Sequence, residues 1–191
     1  MDRTITLIRH GITAGNLEKR YIGITDEDLT IDGERDIASR HYPEADIIFS
    51  SPLLRCLRTA EIIYPMREVI VINDLKETNF GRFEGCNYLE LAEDSDYQAW
   101  IDSGGEDAFP GGESRAEAMT RAMNGFNKIL ALSKDCSHIT AVVHGGTIMA
   151  ILSHIFGQDY YSYHVENGEG YTFDLSHNGL YSGLSFRSFT R

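Results

Sequence analysis

Thr4-Ile5-Thr6-Leu7-Ile8 runs straight into Arg9-His10-Gly11, and no other junction constrains the fold of this chain as tightly. A short β-branched run that stops at glycine reads as a buried strand ending in a sharp turn, which sets Arg9 and His10 at the strand's carboxyl end. In open α/β sheets ligands bind outside those ends. An imidazole there can attack a phosphorus atom while a guanidinium, with its donors in one plane, holds the phosphoryl oxygens. A single histidine at a strand end is more commonly a hydrogen-bonded structural residue. The phosphohistidine reading therefore needs partners elsewhere in the chain.

The pattern that follows alternates strands with helices. Ile47-Ile48-Phe49 reads as a second strand; Ser51 then caps a helix with Pro52 at its first position, placing Arg55 in the first turn. Val69–Ile72 is a third strand, and Ile139–Val143 a fourth that ends at His144. Between these two, Ser114 and Glu117 form a capping box, followed by Ala116, Met119, Met123, Phe126 and Leu130 on one helical stripe. A further helix runs from Gly145-Gly146 through Ile148, Ile151, Leu152 and Ile155 to about Phe156. Tyr171–Leu175 and Leu184–Phe189 read as two edge strands joined by a loop with Gly179 and Gly183. Such alternation predicts an α/β sandwich with a mostly parallel sheet, in one domain over residues 1–191; the strand order does not follow from the pattern.

Charge and composition exclude several classes. The formal net charge of −12 argues against nucleic-acid binding, which needs a basic stripe, so a phosphate ester would be drawn in only by a local cluster of Arg and His. No run of about 18 apolar residues spans a membrane, and charges interrupt the N-terminal segment early, so a cytoplasmic location is expected. Cys56, Cys86 and Cys136 have no C-x-x-C spacing and read as reduced, packed thiols. The seven histidines show no metal-binding spacing, so neither a metal nor a cofactor is expected.

Four later segments supply the partners that Arg9-His10-Gly11 requires. They are Ser50-Ser51-Pro52-Leu53-Leu54-Arg55-Cys56 with Thr59-Ala60-Glu61; Leu75-Lys76-Glu77-Thr78-Asn79-Phe80-Gly81 with Phe83-Glu84-Gly85; Pro110-Gly111-Gly112-Glu113-Ser114; and Val142-Val143-His144-Gly145-Gly146. With these blocks in this order, from about Thr4 to Asn167, the chain resembles the histidine phosphatase superfamily, the phosphoglycerate mutase-like proteins. Within it, the blocks look like the branch containing α-ribazole phosphatases. The resemblance implies a three-layer α/β/α sandwich whose mostly parallel, mixed sheet has one antiparallel strand. It also implies a phosphomonoester hydrolase with His10 as nucleophile, Arg9, Arg55 and His144 clamping the phosphoryl group, and Glu77 as proton donor and then base.

The residues admit narrower and blander readings side by side. The nucleophile must be a neutral imidazole, and the like charges of Arg9 and Arg55 push its pKa down. Glu77 is otherwise a solvated loop carboxylate. Glu84 reads as structural, holding loop amides. Thr13 and Asn16, in R-H-G-x-T-x-x-N, are phosphate-contacting donors or else a turn with an Asx cap, and Gly145 offers an amide to the phosphate. Ile12 stands where the family usually has Glu or Gln, and Asp28 replaces the proline of its D-x-P-L-T block, which bears on the shape of the substrate mouth. That mouth would draw on Tyr21, Ile22, the Tyr88–Ile101 segment and Tyr160–Tyr163, whose aromatics either stack on a base or pack. The favoured substrate is α-ribazole 5′-phosphate. A broad-specificity sugar or nucleotide phosphatase, a phosphoglycerate mutase and a non-catalytic phosphate-ester binding module are the alternatives. The apolar edge near Phe186 and Phe189 offers a surface for a second copy, as in a homodimer.

Overall fold

The computed structural model describes residues 2–190. Strands β1 (Arg3–Arg9), β2 (Ile47–Ser50), β3 (Ile70–Val71), β4 (His138–Val143), β5 (Gly170–Leu175) and β6 (Tyr181–Arg187) form one sheet in the order β3-β2-β4-β1-β5-β6. Pairing is parallel from β3 through β1, whereas β5 runs antiparallel to both β1 and β6. The α-helices among the described residues are α1 (Ala14–Leu17), α2 (Ile31–Ser39), α3 (Leu54–Ile63), α4 (Ser95–Asp102), α5 (Arg115–Leu132) and α6 (Gly145–Phe156).

Strand alternation divides the core between the two faces of the sheet. Ile5 and Leu7 of β1, with Ile139, Ala141 and Val143 of β4, face α5 and α6, where Phe126, Ile129, Ile148 and Leu152 complete the main core. Ile8 and Val142 point the other way, onto Cys56 and Ala60 of α3. This is the three-layer α/β/α arrangement expected. Burying each of the Val, Leu, Ile and Phe side chains among them contributes roughly 1.5–3 kcal/mol. A smaller satellite core of Phe83, Leu91, Tyr97 and Phe109 supports the segment that carries α4.

The elements differ from the sequence expectation in four places. The helix after β2 starts at Leu54, not Pro52, because Ser51 still belongs to the ladder through its amide on Val142 O (3.0 Å). Its cap comes from a distant loop: Asp26 Oδ1 accepts from Leu54 N at 2.7 Å. The capping box of Ser114 and Glu117 opens α5 as expected, but the buried stripe is centred on Ala118, Ala122, Phe126 and Ile129, and Ala116 is exposed. The third strand shrinks to a two-residue pairing with β2. Of the two C-terminal strands only β6 is an edge, since β5 lies between β1 and β6. Phe186 is exposed on β6, whereas Phe189 has left the strand and packs on Tyr42 at 4.8 Å between ring centroids.

Among the described residues, no helix is long and apolar enough to cross a membrane. All three cysteines are free thiols, and burial pushes that of Cys56 far up.

Candidate active site

Parallel register brings the two histidines together. Arg9 pairs with Val143, so His10 and His144, the next residue on each chain segment, leave the sheet side by side. Their rings meet edge-on with centroids 5.2 Å apart. Arg55 arrives at the same carboxyl edge from α3, because Ser50 at the end of β2 pairs with Val142. After β1 the chain passes to the α2/α3 face, and after β4 to the α5/α6 face. Such a parting of connections opens the crevice where ligands bind in α/β sheets.

Hydrogen bonds fix the proton on each imidazole. His10 Nδ1 lies 2.7 Å from Gly11 O, a carbonyl that only accepts, so Nδ1 carries the proton and Nε2 keeps its lone pair. His144 Nδ1 receives the Arg55 Nε–H at 3.3 Å, so its proton is on Nε2, which donates to Ser51 Oγ at 2.7 Å. Both rings are buried. Burial, and then Arg55 and Arg9, hold His10 well below the ordinary imidazole pKa; burial, and then Arg55 and His10, do the same for His144. Two neutral imidazoles thus stand among guanidinium groups.

The two arginines differ in how they are spent. Arg55 is 1% exposed, and its terminal nitrogens hold the carbonyls of Ile22 (3.3 Å), Gly23 (2.8 Å) and Thr25 (2.9 Å). Arg9 donates to Val165 O at 2.6 Å, while its buried Nε–H has no acceptor among the described residues. Burial pulls the Arg9 guanidinium down, and the carboxylates of Glu77 and Glu166 raise it again.

Glu77 reaches the same crevice from the loop after the 3-10 turn Asn73–Leu75. Its Oε1 accepts from Thr78 N at 2.8 Å and its Oε2 from Gly146 N, in the first turn of α6, at 3.1 Å. A Cβ on Gly146 would fall 2.3 Å from Glu77 Oε1, so a side chain there would push the carboxylate out of this position. Arg121 fixes the loop from α5, binding the carbonyls of Lys76 (2.6 Å) and Glu77 (3.2 Å) and pairing with Glu113 at 2.7 Å. Gly145 packs beside Arg9.

Arg9, His10, Arg55, Glu77, His144 and Gly145 therefore converge. The turn read at Thr13 and Asn16 is present, each side-chain oxygen accepting the other's backbone N–H and capping α1; these bonds use the acceptor oxygens and not the Thr13 hydroxyl proton or the Asn16 Nδ2 donors. Asn16 Oδ1 also accepts from Asn167 Nδ2 (3.0 Å), which braces the carbonyls of His10 and Gly11. Glu84 gathers the amides of Gly23, Ile24, Thr25 and Phe80, the structural role expected.

A cavity of about 460 Å³ opens beside Arg9, Glu77, Gly145 and Gly146. Tyr21, Trp100, Ile101, Tyr160 and Tyr161 line it as expected, joined by Phe80, Phe109, Arg115, Met149 and His164. Tyr163 is instead buried in the main core, Ile22 lies against Gly15, and Tyr88 is half exposed and outside the wall. Neither Ile12 nor Asp28 lines the cavity: Ile12 O accepts from Thr30 N (2.8 Å), and the Asp28 carboxylate accepts from Leu29 N (2.7 Å). A separate hollow of about 650 Å³ lies by Asp46 and His138, at the opposite, amino end of β2 and β4.

A fold with paired imidazoles and arginines at the carboxyl edge of β1 and β4 defines a phosphoryl-transfer class, and the sequence comparison names it. The family description of the histidine phosphatase superfamily (branch 1) matches residues 5–182, and the chain belongs to that family. It is a phosphatase. It is 33% identical over 161 residues to an uncharacterized phosphatase, PhoE, of Bacillus subtilis, covering 81% of this chain and 78% of that protein. It is 32% identical over 164 residues to a 2,3-bisphosphoglycerate-dependent phosphoglycerate mutase of Cytophaga hutchinsonii, covering 79% and 76%. The crystal structure of the α-ribazole phosphatase from Shigella flexneri has the same fold, with a TM-score of 0.88 at 22% identity over 98% of this chain and 97% of that one.

Proposed function

We propose that the chain hydrolyses a small-molecule phosphate monoester through a phosphohistidine on His10. The observation that carries this reading is the proton arrangement: Gly11 O holds the Nδ1–H of a buried, neutral imidazole, leaving the Nε2 lone pair free. In the first step Nε2 forms a bond to phosphorus as the ester oxygen departs with the proton of Glu77. In the second, Glu77 takes a proton from water, whose oxygen attacks phosphorus and releases inorganic phosphate and free His10. Arg9 contacts the equatorial oxygens, the Arg55 cation opposes the developing charge through its field, and His144 positions Arg55 by accepting its Nε–H.

Among substrates we favour α-ribazole 5′-phosphate, the ester of the branch whose blocks the sequence resembles. A broad-specificity sugar or nucleotide phosphatase is the second reading. Transfer to a sugar acid, as in a mutase, is distinguished by its product, since hydrolysis releases inorganic phosphate in proportion to alcohol.

Rapid quenching with a ³²P-labelled ester tests the mechanism. Acid-labile, base-stable label is expected on the peptide containing His10, and His10→Ala is expected to abolish both label and turnover. Label on another residue, or appreciable turnover in His10→Ala, would sink the proposal.

A further inference from the structure

The wall of the cavity away from the imidazoles holds a cation that phosphoryl transfer leaves unused. Arg115 begins α5; its side chain is 17% exposed, and its guanidinium sits 5.1 Å from the ring centroids of both Tyr160 and Tyr161. Those two rings stand perpendicular, 5.2 Å apart, and the Tyr161 hydroxyl accepts from Arg115 Nη2 at 3.2 Å. Its carboxylate partner, Glu106, is 3.5 Å away and largely solvent-exposed, so this pair is weak. A second anchor is the carbonyl of Gly104. The next residue, Gly105, has φ +72°, and a Cβ there would fall 2.9 Å from the Tyr161 hydroxyl and 3.0 Å from the Trp100 ring. The loop after α4 is thus seated directly on the Arg115–Tyr161 pair, and the pocket wall is a built surface.

The chemistry of that wall is one-sided. Trp100, Phe109 and Tyr21 face the cavity as mutually packed rings, with Trp100 and Phe109 centroids 4.7 Å apart. The Tyr160 hydroxyl is spent on Gly146 O (3.2 Å) and the Tyr21 hydroxyl on that of Tyr97 (3.0 Å). Among the described lining residues the only carboxylate is Glu77, at the phosphoryl end. A leaving group here meets flat apolar surfaces and a cationic donor.

We infer that Arg115 is a specificity-determining residue of the leaving-group pocket. It selects phosphate esters whose alcohol carries a flat aromatic or heteroaromatic ring bearing hydrogen-bond acceptors, and selects against alcohols carrying an ammonium. This rests on the phosphohistidine reading and adds the substrate class to it. A ring fills the cavity and stacks on its walls, its acceptors meeting the guanidinium. An ammonium meets a like charge, while the carboxylate of Glu106 points to solvent and that of Glu77 lies at the phosphoryl end.

The test is kcat/KM for the intact chain and for Arg115→Met, Arg115→Lys and Tyr161→Phe on four esters. Two carry rings, α-ribazole 5′-phosphate and adenosine 5′-monophosphate; two do not, glycerol 3-phosphate and O-phosphoserine. The ring-bearing esters are expected to exceed the others by at least about 10-fold. Arg115→Met is expected to lower that ratio about 10-fold, mainly through KM, and Arg115→Lys, which keeps a cation over the rings, to restore part of it. Tyr161→Phe keeps the ring but removes one of the guanidinium's anchors, and supplies the same readout, a fall of about 3-fold, should Arg115→Met fail to fold. Preference for either ringless ester, or parallel losses on all four, would overturn the inference. Labelling at His10 in the same samples separates the two claims: label on His10 without ring preference removes only this one, whereas label elsewhere removes its parent as well.

Discussion

At the scale of single residues, Glu77 illustrates how a loop carboxylate becomes a candidate acid. Two amides hold its oxygens, one of them at the N-terminus of α6, and Arg121 ties down the backbone beneath it. Glu77→Gln keeps the size and removes the transferable proton. Turnover of esters with poor leaving groups should fall about 10²–10⁴-fold, and that of aryl phosphates, whose leaving oxygen needs no proton, far less. Equal losses on alkyl and aryl esters in steady-state kinetics would show that Glu77 is not the proton donor. Arg9 and His10 are legible from the strand that stops at Gly11, whereas Arg55, Glu77 and His144 are legible as site candidates through the ordered blocks that resemble the family. Ser51 reads from the sequence as a helix cap, whereas its hydroxyl takes the His144 Nε2–H, across 93 positions of sequence. Asn167, Arg121 and Arg115 went unread for the same reason: their contacts join segments distant along the chain, and no local spacing encodes them.

At the scale of elements, the loop over residues 21–26 depends on charged side chains from outside itself. Glu84 accepts from its amides while Arg55 donates to its carbonyls, and Asp26 in return caps α3, which carries Arg55. Loop and helix therefore order one another. Glu84→Ala would leave the amides of Gly23, Ile24 and Phe80 without their acceptor, at a cost of about 2–4 kcal/mol for contacts to a charged group. A thermal melt should show a Tm lower by about 5–15 °C, with reduced kcat because Arg55 loses its seat. A variant with unchanged Tm would mean that water replaces the carboxylate freely. Strong periodicity made α5 and α6 legible as helices, and capping chemistry placed the start of α5 at Ser114. The start of α3 was not legible, since its cap is Asp26, 28 residues away. Strand order was equally hidden: the insertion of β4 between β2 and β1 is decided by which hydrophobic faces can be covered at once, which no single segment records.

At the scale of the whole molecule, placing two imidazoles in the interior beside arginines links global stability to pH. Both His10 and His144 are held well below the ordinary imidazole value by burial and by Arg55, so the folded state keeps them neutral where the unfolded chain begins to protonate them. Below pH about 6.5 the unfolded state then binds more protons than the native state, and stability falls with falling pH; above that value neither ring titrates and the contribution is constant. Each imidazole costs roughly 1 kcal/mol over the first pH unit below 6.5, so the pair costs about 2 kcal/mol. For a chain of this size that corresponds to about 4–8 °C in Tm. The decisive quantity is the difference between the intact chain and the double variant His10→Gln/His144→Gln, which retains every other ionisable group. Melting both in phosphate-free buffer at pH 7.0 and 5.5 should show the intact chain losing about 4–8 °C more than the variant. Coincident losses would mean that the two rings protonate in the folded protein as readily as in the unfolded one. The active-site edge would then admit positive charge that its arginines, as arranged here, oppose.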